Sequence, residues 1–285
     1  MTEESGYILE IKNLNYSYDN RANVLNNINL GIKKGEKIAV LGANGAGKST
    51  LFLNMNGVYS SNSGDIYLHQ TKITRKNINM LRKSAGYVFQ EPDSQIVGPA
   101  VFSEVSFGLC NLGLPADEIK EKTIKVLKEM ELYNYKDRPP HYLSGGEKKR
   151  VAIAGVIAME PEIILFDEPM ASLDPGNSLM FEHLLEKLAN EGKTIIISTH
   201  NTDFAYRWAG RIIVMDKGNI IADDVPVKIF TSEEILKTAN IGKPLLLQVY
   251  EIIKEKYGRN IVDYNNAPRC INEFAEWFCC QRRKL

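Results

Sequence analysis

One short stretch limits the possible folds more than any other. Gly42-Ala43-Asn44-Gly45-Ala46-Gly47-Lys48-Ser49-Thr50 lies between an apolar run, Lys37–Leu41, and a helical run, Ser49–Asn56. A buried strand, a glycine-rich loop and a helix in that order open an α/β layer. Glycine allows the φ angles of a tight wrap and removes Cβ atoms from the path of whatever approaches the backbone. Successive backbone N–H groups and the positive end of the helix then converge on one anion. Lys48 supplies a mobile cation and Ser49 a hydroxyl suited to Mg²⁺. Gly42-x-x-x-x-Gly47-Lys48-Ser49 therefore reads as a phosphate loop whose guest is a nucleoside triphosphate.

Such a site needs an acid at the end of a second apolar strand, and Ile163-Ile164-Leu165-Phe166-Asp167-Glu168 provides one. Asp167 is placed to hold magnesium through water. Glu168 is placed to poise a water for in-line attack on the γ-phosphate.

The rest of the chain alternates. Ile8–Asn13 and Val24–Ile32 read as half-buried antiparallel strands, and Asp65–Leu68 and Gly86–Phe89 as short ones. Residues from about 91 to 160 have helical spacing and look like an insertion, with Val126–Leu132 amphipathic. Helix Glu147–Met159, strand Ile163–Asp167, helix Leu179–Asn190 and strand Thr194–Ser198 follow. Ile212–Met215 and Asn219–Ala222 form a hairpin turning at Lys217-Gly218. Strand–helix alternation implies a mostly parallel sheet, with antiparallel strands flanking it. Thr231-Ser232-Glu233-Glu234 starts a new helix, and Leu245–Tyr257 is apolar on one face. Phe274, Trp277 and Phe278 form an aromatic stripe, covered by the chain's own domain or by another subunit.

Among 285 residues, 35 basic and 35 acidic side chains cancel, which argues against nucleic acid as the main partner. The four cysteines, Cys110, Cys270, Cys279 and Cys280, make no C-x-x-C pair, and they form no metal cluster with His69, His141 or His183. A reduced chain is expected. The N-terminus is acidic without an apolar stretch, so no signal peptide is expected. No apolar run approaches the roughly 20 residues of a membrane span.

Leu143-Ser144-Gly145-Gly146-Glu147-Lys148-Lys149-Arg150 begins a helix with a capping box, Ser144 to Glu147. Its glycines expose N–H groups at a second helix N-terminus, so one chain holds two anion sites. With the phosphate loop, this octet resembles the nucleotide-binding subunit of ABC transporters, over about residues 8–222. The resemblance implies a P-loop ATPase cassette over residues 1–230, with a helical subdomain at about 91–160. A small C-terminal extension, 231–285, would be a possible dimerisation region. It implies ATP and Mg²⁺ as cofactors, Mg²⁺ being held by Ser49, Gln90 and Asp167. Tyr18 falls where the family stacks an aromatic on adenine. Gln90 resembles the glutamine that links magnesium and water to the helical block. Ser172-Leu173-Asp174 resembles the loop whose Asp174 contacts the opposite chain, and His200 the histidine that donates to the γ-phosphate. Two subunits, identical or merely similar, would face head to tail. Each ATP would lie between Lys48 of one and Ser144, Gly145 and Gly146 of the other. The partners would be integral membrane subunits, with the chain peripheral on the cytoplasmic face.

Gln90-Glu91-Pro92-Asp93-Ser94-Gln95, Phe107-Gly108-Leu109 and Val151–Gly155 are most similar to energy-coupling-factor ATPases. Glu147–Arg150 and Tyr206-Arg207-Trp208-Ala209 resemble the cobalt-uptake members, with nickel or a vitamin as alternative solutes. A soluble ABC ATPase of translation or DNA repair is the other class; it would carry tandem cassettes or a long coiled coil. Asn201 and Met170 depart from the common Asp and Thr.

Overall fold

The computed structural model describes residues 6–18, 23–171, 173–257, 264 and 267–282. Its strands are β1 (Tyr7–Tyr16), β2 (Leu25–Lys33), β3 (Lys37–Leu41), β4 (Ser63–Leu68), β5 (Thr71–Lys72), β6 (Ala85–Val88), β7 (Ile163–Asp167), β8 (Thr194–Ser198), β9 (Arg211–Asp216) and β10 (Asn219–Asp224). Its helices are α1 (Lys48–Met55), α2 (Ile78–Ser84), α3 (Val101–Asn111), α4 (Ala116–Glu129), α5 (Gly145–Ala158), α6 (Pro175–Asn190), α7 (Thr202–Trp208), α8 (Pro226–Thr231), α9 (Glu233–Ala239), α10 (Leu245–Tyr257) and α11 (Ile271–Arg282). They fall into two compact units. One takes the N-terminal segment through Glu36 and Ser49–Ser198; the other takes Lys37–Lys48 and the chain from Thr199 onward.

In the first unit, β2-β1-β4-β5 form an antiparallel sheet. The alternation read from sequence puts Leu9, Ile11, Ile28 and Ile32 inside, and a register shift after Ile11 buries Leu14 as well. Strands β6, β7 and β8 run parallel, pairing Val88 with Phe166 and Asp167 with Ser198. Every residue of β7 and β8 is buried, as expected of parallel strands covered on both faces. Helices α3, α4 and α5 pack on one another as the predicted helical block.

In the second unit, β3 runs parallel to β9, which pairs antiparallel with β10. The turn between β9 and β10 has φ 45° at Lys217 and 80° at Gly218. Left-handed backbone at both central positions is what a two-residue hairpin of this twist needs. Trp277 of α11 meets Tyr250 of α10 edge-on at 4.9 Å, so part of the aromatic stripe is covered by the chain itself.

Three differences from the sequence reading have clear causes. Helix α6 begins at Pro175 rather than Leu179: the Asp174 side chain accepts from Asn177 N and Pro175 takes the first turn. The amphipathic run 126–132 ends as helix at Glu129, and Glu131 turns left-handed at φ 57°. The short elements β5, α2, α7 and α8 went unpredicted, being too short to show a period.

Candidate active site

In the second unit the phosphate loop is shaped by its glycines. Gly42 has φ 148°, and a Cβ there would sit 2.2 Å from the Met215 carbonyl oxygen. No side chain fits. Gly218 N donates to Ala46 O at 3.0 Å, so the hairpin braces the loop from outside. Gly42, Ala46, Gly47 and Lys48 are buried, while Ala43, Asn44 and Gly45 form an exposed rim. The Lys48 ammonium donates to Gly42 O at 2.7 Å and Ala43 O at 3.3 Å.

His200 is exposed and directly precedes α7. Thr199 N donates to Val40 O at 3.1 Å, tying this segment to β3. Asn201 is the N-cap of α7, its side chain accepting from Phe204 N at 2.9 Å. This amide makes the capping bond without bringing a charge.

In the first unit, Ser49 is exposed and Thr50 buried on α1. The Tyr18 hydroxyl lies 3.0 Å from Thr50 Oγ1, which puts the aromatic ring beside the first turn of α1. Tyr16 and Tyr59 hold that ring edge-on at 5.1 and 5.7 Å.

At the end of β7 the two acids receive different surroundings. Asp167 accepts from Tyr87 Oη at 2.9 Å through one oxygen and from Ser198 Oγ through the other. Burial, then the Asp167 charge, pushes the Tyr87 phenol far up, so it stays a donor. Glu168 turns away with φ 43°, a left-handed backbone in a non-glycine residue. Its N–H is held by Ser198 Oγ at 2.9 Å and Ser198 O at 3.1 Å. Strained backbone that neighbours over-determine is characteristic of functional sites. One serine thus orients the Asp167 carboxylate and holds the Glu168 backbone.

Gln90 is exposed, but its backbone is gripped. Lys149 Nζ donates to Gln90 O at 2.6 Å and Phe89 O at 3.0 Å. Gln95 adds a second tie, accepting from Phe89 N at 3.0 Å and donating to Ala152 O at 2.9 Å. Burial pulls the Lys149 ammonium down to about 8, against the opposing charges of Glu91, Asp167 and Glu168.

Ser144 and Glu147 form the expected capping box, with Ser144 N to Glu147 Oε2 at 2.8 Å and Glu147 N to Ser144 Oγ at 3.3 Å. Ser144 and Gly145 are exposed. A Cβ on Gly146 would lie 2.8 Å from Asn177 Nδ2. Asn177 donates to both Asp174 oxygens and accepts from Arg150 Nη1 at 2.7 Å, so Asp174 is joined to the octet through one amide. Ser172 lies outside the described residues.

Ser198, Tyr87, Lys149 and Asn177 escaped the sequence reading. Each acts through a partner far along the chain, and only the register of β6–β8 or the packing of α5 reveals it. Each unit carries groups suited to a magnesium nucleotide: the first has hydroxyls on α1 and a buried carboxylate, and the second a loop that admits no side chain at Gly42, beside an ammonium.

Residues 25–171 match the family described as ABC transporter. The energy-coupling factor transporter ATP-binding protein EcfA3 of Clostridium perfringens is 44% identical over 255 residues, covering 88% of this chain and 90% of that protein. Two longer relatives, from Methanospirillum hungatei and Methanosarcina mazei, are spanned over 63% and 57% of their lengths. The solved structure of cbiO1 from Clostridium perfringens, described as part of the ABC transporter complex cbiONQ, superposes with TM-score 0.72 at 41% identity, covering 87% of this chain and 99% of that one. The ATP-binding cassette MJ0796, a dimer in a post-hydrolysis state bound to ADP and Pi, gives TM-score 0.70 at 29% identity, covering 76% and 98%. The chain belongs to the ABC transporter family, with the P-loop cassette fold, and is an ABC ATPase.

Proposed function

We propose that this chain is the ATP-hydrolysing subunit of an energy-coupling-factor importer, with cobalt ion as the solute. The observation that carries the hydrolytic part is the arrangement at the end of β7: Ser198 fixes the Asp167 carboxylate and the Glu168 amide together, and Glu168 holds a left-handed backbone. The names of EcfA3, an energy-coupling factor transporter ATP-binding protein, and of cbiO1, part of the ABC transporter complex cbiONQ, support the transporter class, and the likeness of Glu147–Arg150 and Tyr206–Ala209 to cobalt-uptake members supports the metal.

In this reading Gly42–Gly47 and Lys48 bind the β- and γ-phosphates. Tyr18 stacks on the base, and Thr50 completes the loop. Ser49, Gln90 and Asp167 hold Mg²⁺, which neutralises charge on the phosphates when bound. Glu168 takes a proton from the attacking water. His200 donates to the γ-phosphate. Ser144, Gly145 and Gly146 of a second subunit close over that phosphate, with Asp174 contacting the opposite loop. The cassette is assigned to residues 1–230 and the extension to 231–285. Among the described residues no helix is long and apolar enough to cross a membrane. Integral membrane subunits would carry the solute. Their docking surface is assigned to an apolar groove of about 420 Å³ beside the Gln90 segment, with Val97 and Phe107 exposed along it. The chain would then sit peripherally on the cytoplasmic face.

Glu168→Gln tests the chemistry. It should lower kcat by about 10²–10⁴-fold while ATP binding survives; full turnover would remove Glu168 from its role. Uptake of radiolabelled cobalt by membranes carrying the co-purified complex tests the solute. Transport of nickel or a vitamin instead would replace cobalt and leave the ATPase assignment standing.

A further inference from the structure

The C-terminal extension is tied to both ends of α7, the helix that starts immediately after His200. At the N-terminal end, Asp203 Oδ1 accepts from Leu245 N, the first amide of α10, at 2.6 Å. At the other end, Arg269 Nε donates to Tyr206 O at 2.8 Å, and Arg269 Nη2 donates to Ala209 O. These are carbonyls that a helix end leaves without intrahelical partners. A guanidinium there satisfies two at once and sits at the negative pole of the helix. The same guanidinium lies over the Tyr206 ring, 6.0 Å from its centre.

The extension is internally braced. Glu251 of α10 accepts from Lys243 at 2.7 Å and from the Tyr264 hydroxyl at 3.2 Å. Arg269 N donates to Glu273 of α11 at 2.7 Å, and Trp277 packs on Tyr250. Asp203 and Arg269 are therefore handles on one packed body. Their target is a seven-residue helix whose N-cap, Asn201, is covalently next to His200. A helix this short has little stability of its own, so its orientation is set by what grips it.

We infer that Arg269 and Asp203 are positioning residues for His200: through them, the C-terminal extension sets the orientation of α7 and so of the histidine. This rests on the reading of His200 as a donor to the γ-phosphate. A grip used only for stability would lower the unfolding midpoint and leave turnover per folded molecule unchanged. A positioning role lowers kcat and spares nucleotide affinity.

The test compares His200→Ala, Arg269→Ala, Arg269→Lys and the double variant His200→Ala/Arg269→Ala in the full chain, with Asp203→Ala as the second handle. Steady-state ATPase, KM for ATP and thermal unfolding are measured on each. Arg269→Ala should lower kcat about tenfold with KM within about twofold, since only a transition-state contact is displaced. Arg269→Lys, which keeps the charge at the carbonyls, should recover part of the loss. In the His200→Ala background, Arg269→Ala should have no further effect on kcat, because both act through one group. If His200→Ala slows turnover but Arg269→Ala is normal, or if the two losses multiply, this inference falls and the role of His200 stands. If His200→Ala turns over normally, both fall. Should Arg269→Ala not fold, Asp203→Ala and Arg269→Lys decide the matter by the same comparison.

Discussion

The Ser144–Glu147 pair shows how one residue type serves two ends. The Glu147 carboxylate accepts from Ser144 N and Ser144 Oγ, both at 2.8 Å, and fastens the chain at the N-terminus of α5, the segment proposed above to meet a phosphate. Those bonds, the backbone one first, hold the Glu147 carboxyl below its ordinary value of 4.5. Folding thus favours the ionised form. Its contribution is complete above the ordinary Glu range and is lost as pH falls through the lowered folded value. Urea midpoints measured from neutral to acid pH should show wild type losing this contribution where Glu147→Gln loses none. Ser144→Ala, which removes the cap, should cost about 1 kcal/mol at neutral pH in the same assay.

Strands β3, β7 and β8 have the limits that were read from the sequence, because each is five residues long with an unbroken apolar run (Ile38–Leu41, Ile163–Phe166, Ile195–Ile197) bounded by polar residues or glycine. The site residues at their ends came with them: Gly42 after β3, Asp167 at the close of β7, and His200 soon after β8. Periodicity could not give α2, α7 or α8, of seven, seven and six residues, since each is two turns or fewer. It could not give Lys149 a role either. Inside α5 that lysine reads as one charge in a basic run, yet it is 3% exposed and grips the backbone at Gln90. Lys149→Met removes two hydrogen bonds but also the cost of burying an ammonium, and these oppose each other. Urea unfolding should therefore move by less than about 1 kcal/mol. ATP turnover should nonetheless fall several-fold as the Gln90 segment loosens. An unchanged kcat would make the grip purely architectural.

Taken as a molecule, the chain offers a partner more than a catalytic pocket. Apolar Val97 and Phe107 are 71% and 51% exposed along the groove that also touches Phe89, one residue from Gln90. Exposed aromatics around a concave surface mark binding sites. Phe107→Asp should abolish co-purification with the membrane subunits from detergent extracts while ATP affinity is retained. Recovery of the complex at wild-type yield would place the docking surface elsewhere.

The brace on the phosphate loop has a consequence for biosynthesis. Ala46 O accepts from the amide of Gly218, and β3 pairs in parallel with β9. Contacts of such long sequence separation form slowly and cannot form before both partners exist. A nascent chain halted on the ribosome before residue 218 should therefore carry a complete phosphate-loop sequence and yet fail to retain ATP. Nucleotide capture becomes possible only late in translation, so the birth of this enzyme is gated by its own hairpin.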